Sequence, residues 1–305
     1  MGNALQSIIN GPAGVGFALL CGRLLPLRPA QRMIAFLAAH LTRQQDLPLV
    51  QAVRANQMMI SGETAVSPPT NSPHTFTNPA DQAVYETFCY AGRFLYDLYH
   101  YQHRETAVQS LVSFTPPATA LLARLASETE RTIVVAPHLG NFDLAARAAT
   151  QRNISVQMIS FPQPGNGYRW QNRMRRQAGL TITPASLTAL RAARQRLQNE
   201  GNVVTGVDRP VPDRKYCPHF FDHPAALPVL HITLALKTQA PIFVVGAILR
   251  ADGVYEVLAS GPITIEPHAD RHAEIITNAE RVLHVAADLI RQAPRQWMMF
   301  YPVWS

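Results

Sequence analysis

From residue 117 to the end of the chain, short apolar runs rich in β-branched residues alternate with helix-like stretches. The longest of these runs lie at 132–136, 203–207 and 241–249. Because they carry few polar side chains, they are typical of strands buried on both faces of a parallel sheet. Asp252-Gly253 joins the last run to another strand-like stretch, which predicts a hairpin. The pattern predicts an α/β fold: a mostly parallel central sheet with an antiparallel edge, flanked by helices.

The chain before residue 117 shows helical periodicity and no comparable strand pattern. We predict helices at 28–43, 47–60 and 80–104, and a polar, proline-rich loop at 61–79. These features divide the chain into two parts. The first is an N-terminal helical, membrane-associating region at 1–115, and the second is an α/β domain at 116–305.

The N-terminal helices carry apolar faces that suit a membrane surface. The apolar stretch 8–27 is interrupted by glycines, Arg23 and Pro26. Its continuous apolar length is therefore shorter than the roughly 20 residues that cross a bilayer. One face of the next helix is apolar and consists of Met33, Ile34, Leu37, Ala38 and Leu41. Such a helix either lies in a membrane interface or packs on the rest of the chain, and the sequence leaves both interpretations open.

Positive charge is concentrated in one segment of the chain. Residues 131–200 hold ten arginines and only two acids, Asp143 and Glu200. This basic field predicts an anionic partner: nucleic acid, a phospholipid headgroup or the phosphates of an acyl carrier. The three cysteines have no metal-like spacing, which favours a reduced, intracellular compartment without disulfides.

The stretch TIVVAPHLGNFDLAAR, at 132–147, places chemically active side chains at the end of a buried strand. His138 follows the strand, Gly140 and Asn141 form a tight turn, and Asn141 is placed to cap the next helix. Asp143 falls in the first turn of that helix. We predict that Asp143 orients the His138 imidazole and leaves its other nitrogen free as a base. The alternative is that Asp143 only stabilises the helix and His138 is an ordinary loop histidine.

Other kinds of catalytic site have weaker support in the sequence. There is no Gly-x-Ser-x-Gly elbow and no phosphate-binding glycine loop. His219, Asp222 and His223 lack the spacing of a metal site, so we predict no metal. Asp208 ends a buried strand and belongs at the same edge of the sheet as His138. A base without its own nucleophile fits a reaction in which the substrate supplies one, such as an alcohol attacking a thioester.

Several ordered segments resemble one enzyme family. They are APHLGNFD, NRMRRQAG, GNVVTGVDRP, FFDHPAALP, LALKTQAPIFVV and PRQWMMFYPVW, which together span roughly 115–304. The first resembles the His-x4-acid motif of the lysophospholipid acyltransferase superfamily. In this superfamily, the segments are most similar to the late lipid A biosynthesis acyltransferases and the phosphatidylinositol mannoside acyltransferases.

The resemblance implies direct transfer of a fatty acyl group from a thioester to a lipid hydroxyl, without an acyl-enzyme, a metal or a cofactor. His138 would be the general base and Asp143 the acid that holds it. Arg173 and Arg175 would bind phosphate or carboxylate, and Asp208 would lie near the acceptor. The full predicted substrate-binding set is Gly140, Asn141, Arg173, Arg175, Arg176, Asp208, Arg209 and Phe221.

The resemblance also implies the partners. The donor would be acyl-CoA or acyl-carrier protein, and the acceptor a lipid A-like or phosphatidylinositol mannoside-like glycolipid or a phospholipid. The protein would be peripheral or monotopic on the inner face of the cytoplasmic membrane, with no specific nucleic acid. The sequence departs from the family in having Asp208-Arg209 for Asp-Gln and Asp222 for glycine. A catalytically divergent lipid-binding relative, or a nucleic-acid-binding protein using the arginine cluster, are the alternatives.

Overall fold

The computed structural model describes residues 12–61, 74–127, 129–152, 154–162 and 166–304 of the 305-residue chain. The predicted loop at 61–79 and the apolar stretch at 8–27 lie partly outside these ranges. The helices before the sheet are α1 (Pro12–Leu24), α2 (Leu27–Arg43), α3 (Pro48–Ser61), α4 (Pro79–His100) and α5 (Glu105–Leu111).

A mostly parallel sheet forms the centre of the rest of the chain. Its elements are β1 (Val112–Phe114), α6 (Pro116–Ser127), β2 (Thr132–Ala136), α7 (Phe142–Thr150), β3 (Val156–Ser160), α8 (Asn166–Gln177), β4 (Thr181–Pro184), α9 (Leu187–Gln198), β5 (Asn202–Gly206), β6 (His219–Phe220), β7 (His223–Pro224), α10 (Leu230–Thr238), β8 (Ile242–Leu249), β9 (Tyr255–Ala259) and α11 (Arg271–Gln292). In the described residues, seven strands form one sheet in the order β1-β9-β8-β2-β5-β3-β4. Only the β8–β9 pair in it is antiparallel. The predicted fold class is confirmed.

The middle of the sheet determines where functional side chains meet. Ile133, Val134 and Val135 of β2 are buried, as the apolar run predicts for a strand covered on both faces. β5 and β8 flank β2 and run parallel to it, so all three carboxyl ends lie at one edge. The register pairs Ala136 with Gly206. His138 and Asp208 each follow two residues later, which brings them together at this edge.

The N-terminal helices are tied to the sheet through α4. The Asp97 carboxylate of α4 is buried and accepts hydrogen bonds from Arg93 Nε at 2.6 Å and from the Tyr255 hydroxyl of β9 at 2.5 Å. The pKa of Asp97 is raised, because the effect of its burial outweighs the lowering by the charge of Arg93. A polar connection thus runs between the helices and β9, in a region where an unpaired charge would be costly.

The packing of α2 differs from the face that its sequence predicts. Leu37 of the predicted face is exposed, whereas Ala38 is buried and Met33, Ile34 and Leu41 are half-buried. Ala30, Ala35 and Ala39, which lie outside the predicted face, are also buried, because small side chains let helices approach closely. One other element also differs: the helix predicted at 80–104 ends at His100.

Candidate active site

The loop between β2 and α7 carries His138 and starts the next helix as predicted. The Asn141 side chain accepts a hydrogen bond from Leu144 N at 3.3 Å, which is the contact of an N-cap residue. Its amide nitrogen donates to Phe94 O of α4 at 3.1 Å. Asn141 therefore both caps α7 and fixes the loop against the N-terminal helices.

The carboxylate that holds His138 belongs to Asp208. The Asp208 side chain is fully buried, and its Oδ1 lies 2.7 Å from His138 Nδ1. Its Oδ2 accepts from the backbone N–H of His138 at 2.8 Å and from the Trp297 indole N–H at 2.7 Å. Three donors satisfy this buried carboxylate, so it is fixed in position.

This geometry determines the tautomer of the neutral imidazole. A carboxylate only accepts hydrogen bonds, so His138 Nδ1 carries the proton and Nε2 keeps its lone pair. No described residue hydrogen-bonds Nε2, and the side chain is 27% exposed. A side-chain carbon at Gly206 would lie 3.7 Å from His138 Cε1, so the ring lies over the end of β5. The arrangement leaves a basic nitrogen, Nε2, without a hydrogen-bond partner among the described residues.

Asp143 has a different partner. Arg175 Nε lies 2.6 Å from Asp143 Oδ1, and Arg175 Nη2 lies 3.0 Å from Oδ2, so the two groups form a bidentate pair between α7 and α8. Arg175 Nη1 also donates to Asn172 at 2.8 Å, and the guanidinium lies over the rings of Phe142 and Tyr168. Arg175 is 5% exposed.

Arg175 stays a cation in its buried position. Burial alone would lower the pKa of Arg175, but the charge and hydrogen bonds of Asp143 outweigh it and the pKa is raised. Burial, together with the charge of Asp143, also raises the pKa of Tyr99 to about 12. Both groups therefore keep their ordinary protonation near neutral pH, Arg175 as a cation and Tyr99 as a neutral phenol.

These contacts correct three sequence-based predictions. The acid that orients His138 is Asp208 and not Asp143, because both oxygens of Asp143 are occupied by Arg175 and no hydrogen bond joins it to His138. The anion that Arg175 binds is the protein's own carboxylate, not one from a substrate. Asp208 is buried beneath the imidazole and is not placed to touch an acceptor.

A C-terminal segment, residues 294–303, holds the His138 loop from the other side. Met298 N donates to His138 O at 2.7 Å, and Gly140 N donates to Gln296 O at 2.8 Å. Leu139 and Trp297 form an antiparallel bridge in the same place. The role of Trp297 was not predicted, although the Gln-Trp pair lies in one of the segments that carry the resemblance.

The N-terminal helices in turn hold this C-terminal segment. Asn56 of α3 is buried and donates to Met299 O and Tyr301 O, at 3.1 and 2.8 Å, and accepts from Val303 N at 3.1 Å. Gln57 donates to Pro294 O at 2.9 Å. A continuous set of hydrogen bonds thus connects α3, the C-terminal segment and the loop that carries His138.

A comparison with protein families decides which family this site belongs to. The family model described as bacterial lipid A biosynthesis acyltransferase matches residues 120–305, which is more than half of the chain. The chain belongs to this family. The match covers both members of the His138–Asp208 pair, as well as Asp143 and Arg175. No curated protein matches the chain in a sequence search.

The other predicted substrate-binding residues of this lipid A-type acyltransferase are in several environments. Arg173 and Arg176 are exposed on α8, and Arg173 lies over the Trp170 ring. Phe221 has a left-handed backbone, with φ of 50°, and packs in an aromatic cluster with Phe220, Trp297 and Trp304. Arg209 follows Asp208 directly and is half-buried.

A cavity of about 420 Å³ lies beside the Asp143–Arg175 pair. Its lining includes both of these residues, together with Leu98, Glu105, Arg147 and Met174. It is bounded by α4, α5, α7 and α8, and the lining does not include His138.

Two absences concern only the described residues of the acyltransferase. Among them, no helix is long and apolar enough to cross a membrane. In the same ranges, no three His, Cys, Asp or Glu side chains are grouped where they could hold a metal ion. His219, a candidate ligand considered from the sequence, is paired with Glu280 at 2.6 Å.

Gly140 cannot be replaced without moving the His138 loop. Its φ is +66°, and an added Cβ would lie 1.3 Å from Ala247 O. We expect Gly140→Ala to lower the free energy of unfolding by about 3 kcal/mol or more, because both backbone strain and a backbone clash must be relieved. Denaturant unfolding monitored by circular dichroism measures this loss.

Gly253→Ala is the matched control. Gly253 also has a positive φ, +87°, but an added Cβ there meets nothing within 4 Å. This variant should lose only the strain of a left-handed residue, about 1–2 kcal/mol. Equal losses for the two variants would contradict the proposed clash at Ala247.

Proposed function

We propose that this protein transfers a fatty acyl group directly from an acyl thioester to a hydroxyl of a membrane glycolipid, with His138 as the general base. The observation that supports the proposal is the His138–Asp208 pair. A buried, fully hydrogen-bonded carboxylate fixes Nδ1 of an imidazole that is 27% exposed and whose Nε2 has no hydrogen-bond partner among the described residues. A base held in this way contributes about 10²–10⁴ to the rate of a proton transfer.

The acceptor supplies the nucleophile in this mechanism. As the acceptor oxygen attacks the thioester carbon, its proton passes to His138 Nε2. The resulting tetrahedral intermediate expels the thiolate, which takes the proton from Nε2 as the ester forms. In the part of the chain that is described, no serine, threonine or cysteine side chain hydrogen-bonds His138, which favours direct transfer over an acyl-enzyme.

Asp208 stabilises the charged form of the base during the reaction. When Nε2 accepts the proton, the imidazolium is next to the Asp208 carboxylate, whose position is already fixed by Trp297 and by the backbone of His138. Because these groups are in place before reaction, little reorganisation is needed as charge develops. Asp143 and Arg175 contribute by holding α7 and α8 together beneath the site.

The family and the charges around the site support an anionic lipid as acceptor. Family membership favours a lipid A-like glycolipid, and the exposed Arg173 and Arg176 favour substrates with phosphate groups. The donor in this proposal is acyl-CoA or acyl-carrier protein, both of which carry phosphate. No metal or cofactor enters any step of this mechanism.

We place the acyltransferase on the inner face of the cytoplasmic membrane, attached by its N-terminal helices. Large apolar side chains of α1 and α2 are exposed in the structure: Leu20, Leu24, Leu27, Phe36 and Leu37. Arg23, Arg28 and Arg32 are exposed among them. Apolar residues beside arginines suit an interface with anionic lipid.

Replacing two of these apolar residues tests whether the surface of α1 and α2 binds a membrane. Leu24 and Phe36 are 66% and 64% exposed, and their transfer into lipid is worth about 1.5–3 kcal/mol each when complete. We expect Leu24→Ser/Phe36→Ser to weaken binding to phosphatidylglycerol-containing vesicles by about tenfold or more, measured by co-sedimentation. Leu187→Ser is the control, because Leu187 is 76% exposed on α9. Equal binding by the double variant and wild type would contradict this placement.

Acyl transfer itself is tested with radiolabelled palmitoyl-CoA and a panel of lipid A precursors and lysophospholipids. Wild type should form labelled lipid, and His138→Ala should lose about 10²-fold or more of this rate. His284→Ala is the control, since His284 is a highly exposed histidine on α11. If wild type and His138→Ala are equally inert with every donor and acceptor, the divergent lipid-binding relative becomes the better account.

A further inference from the structure

Arg209 has an unusual environment at the carboxyl edge of the sheet. Its guanidinium carbon lies 3.9 Å from the centre of the Phe161 ring and 4.3 Å from the centre of the Tyr301 ring. Contacts at these distances are cation–π interactions, and two of them on one guanidinium hold it in a defined position. Arg209 was predicted to bind substrate, but neither Phe161 nor Tyr301 was predicted to take part.

Phe161, Arg209 and Tyr301 come from different parts of the chain. These parts meet at the edge of the sheet where His138 lies. Phe161 follows β3, Arg209 follows Asp208 at the end of β5, and Tyr301 lies in the C-terminal segment that holds the His138 loop. β2 and β3 are the two neighbours of β5 in the sheet. The cation therefore lies at the same edge as His138, one residue from the carboxylate that orients it.

Stacking leaves the edge of the guanidinium available. A guanidinium is planar, with five N–H donors that lie in its plane, so rings on its faces do not occupy them. No carboxylate among the described residues forms an ion pair with Arg209. By contrast, Arg131 is paired with Glu200, and Arg175 is paired with Asp143. Both rings are themselves partly exposed: Phe161 is 37% and Tyr301 is 48% exposed.

We propose that Arg209, held between Phe161 and Tyr301, binds a phosphate group of a substrate through its free edge and so selects phosphorylated substrates. The proposal rests on the acyl transfer proposed above, since both substrates of that reaction carry phosphate. A planar fork matches two phosphate oxygens in a bidentate pair, which a flexible ammonium does not reproduce. The phosphate comes either from the lipid acceptor or from the acyl donor.

Arg209→Gln tests the proposed contact at the residue itself. Glutamine has no charge and does not stack as a cation on aromatic rings. The substitution therefore removes the proposed contact while keeping a polar, uncharged side chain at this position.

The test compares kinetic constants for substrates with and without phosphate. The donors are palmitoyl-CoA and the palmitoyl thioester of N-acetylcysteamine, and the acceptors are a phosphorylated lipid A precursor and its phosphatase-treated form. For Arg209→Gln we expect KM to rise about tenfold or more for the substrate whose phosphate Arg209 binds, with little change in kcat. KM for the phosphate-free form of the same substrate should stay unchanged.

Three further variants sharpen the result. Arg209→Lys should recover only part of the loss, because its ammonium keeps the charge without the planar fork. Tyr301→Leu should raise the same KM as Arg209→Gln, though less, since one face of the guanidinium is released. Arg152→Gln should leave all constants unchanged, because Arg152 is an exposed arginine over a single ring, that of Phe114, after α7.

Equilibrium binding keeps this proposal separate from the proposed reaction. Dissociation constants of palmitoyl-CoA and of the phosphorylated precursor are measured by calorimetry on His138→Ala protein, with and without Arg209→Gln. A loss of about tenfold for one of them supports the phosphate contact even if no turnover is found. The proposal would be overturned if Arg209→Gln changed the dissociation constant of neither ligand. It would also be overturned if the change in KM were equal for substrates with and without phosphate.

Discussion

Asp208→Asn is expected to lower kcat for acyl transfer by about 10²–10⁴, close to the effect of removing His138. The asparagine has one acceptor oxygen where the carboxylate has two, and its amide donors face the N–H groups that Asp208 now binds. The imidazole then loses the group that fixes its tautomer and stabilises its protonated form. Initial rates with labelled palmitoyl-CoA, at saturating acceptor, measure the change.

Stability must be followed in the same variant. Leaving a buried donor unpaired costs about 1–3 kcal/mol, so Asp208→Asn should unfold at a lower denaturant concentration and yet remain folded in buffer. Asp46→Asn, at an exposed acid of the N-terminal part, is the control for the loss of one negative charge. A folded Asp208→Asn protein with kcat near that of wild type would rule out Asp208 as the orienting acid.

Asp143→Ala is expected to lower the free energy of unfolding by about 3–5 kcal/mol. The change leaves the Arg175 guanidinium, 5% exposed, without its charge partner in an environment from which water is excluded. Chemical denaturation at neutral pH measures the loss. Because the pair joins α7 to α8, the destabilised part of the protein includes the helix that starts at the catalytic loop.

Replacing both charges distinguishes a structural pair from a catalytic one. Asp143→Leu/Arg175→Met should recover much of the stability lost in Asp143→Ala, because no unpaired charge is left in the interior. If Asp143→Ala is as stable as wild type, the pair is not a structural support. If the double variant is no more stable than Asp143→Ala, the loss comes from something other than the unpaired guanidinium.

Local sequence patterns predicted the elements that carry the site. The apolar run at 132–136 and the N-cap at Asn141 follow from signals within a few residues, and the structure confirms both. The alternation of strands and helices predicted the parallel sheet. It therefore also predicted that residues following β2 and β5 lie at one edge, which is where His138 and Asp208 are found.

The pairing of side chains across the site was not predictable from spacing along the chain. Asp143 is five residues from His138, but it lies in a helical turn whose carboxylate points to Arg175 on α8. Asp208 is seventy residues from His138 and reaches it because β2 and β5 pair in register. Which of two nearby acids contacts an imidazole depends on packing between elements, and a local motif does not contain that information.

The C-terminal segment and the short elements were missed for related reasons. Trp297 contributes an N–H to Asp208 only because the segment returns across the His138 loop, and no periodicity indicates this path. β1 has three residues, too few for an alternation pattern, and it is defined by its pairing with β9. The burial of Ala30, Ala35 and Ala39 of α2 depends on close packing with other helices, which the apolar periodicity of α2 does not indicate.

The nitrogen NMR spectrum of the His138 ring tests the central claim most directly. It is recorded on wild type, Asp208→Asn and Asp143→Asn at a pH where the imidazole is neutral, with His138→Ala to assign the signals among the eleven histidines. We predict a proton on Nδ1 in wild type and in Asp143→Asn, and loss of this preference in Asp208→Asn only. A wild-type ring protonated on Nε2, or a ring that responds to Asp143→Asn and not to Asp208→Asn, would contradict the account.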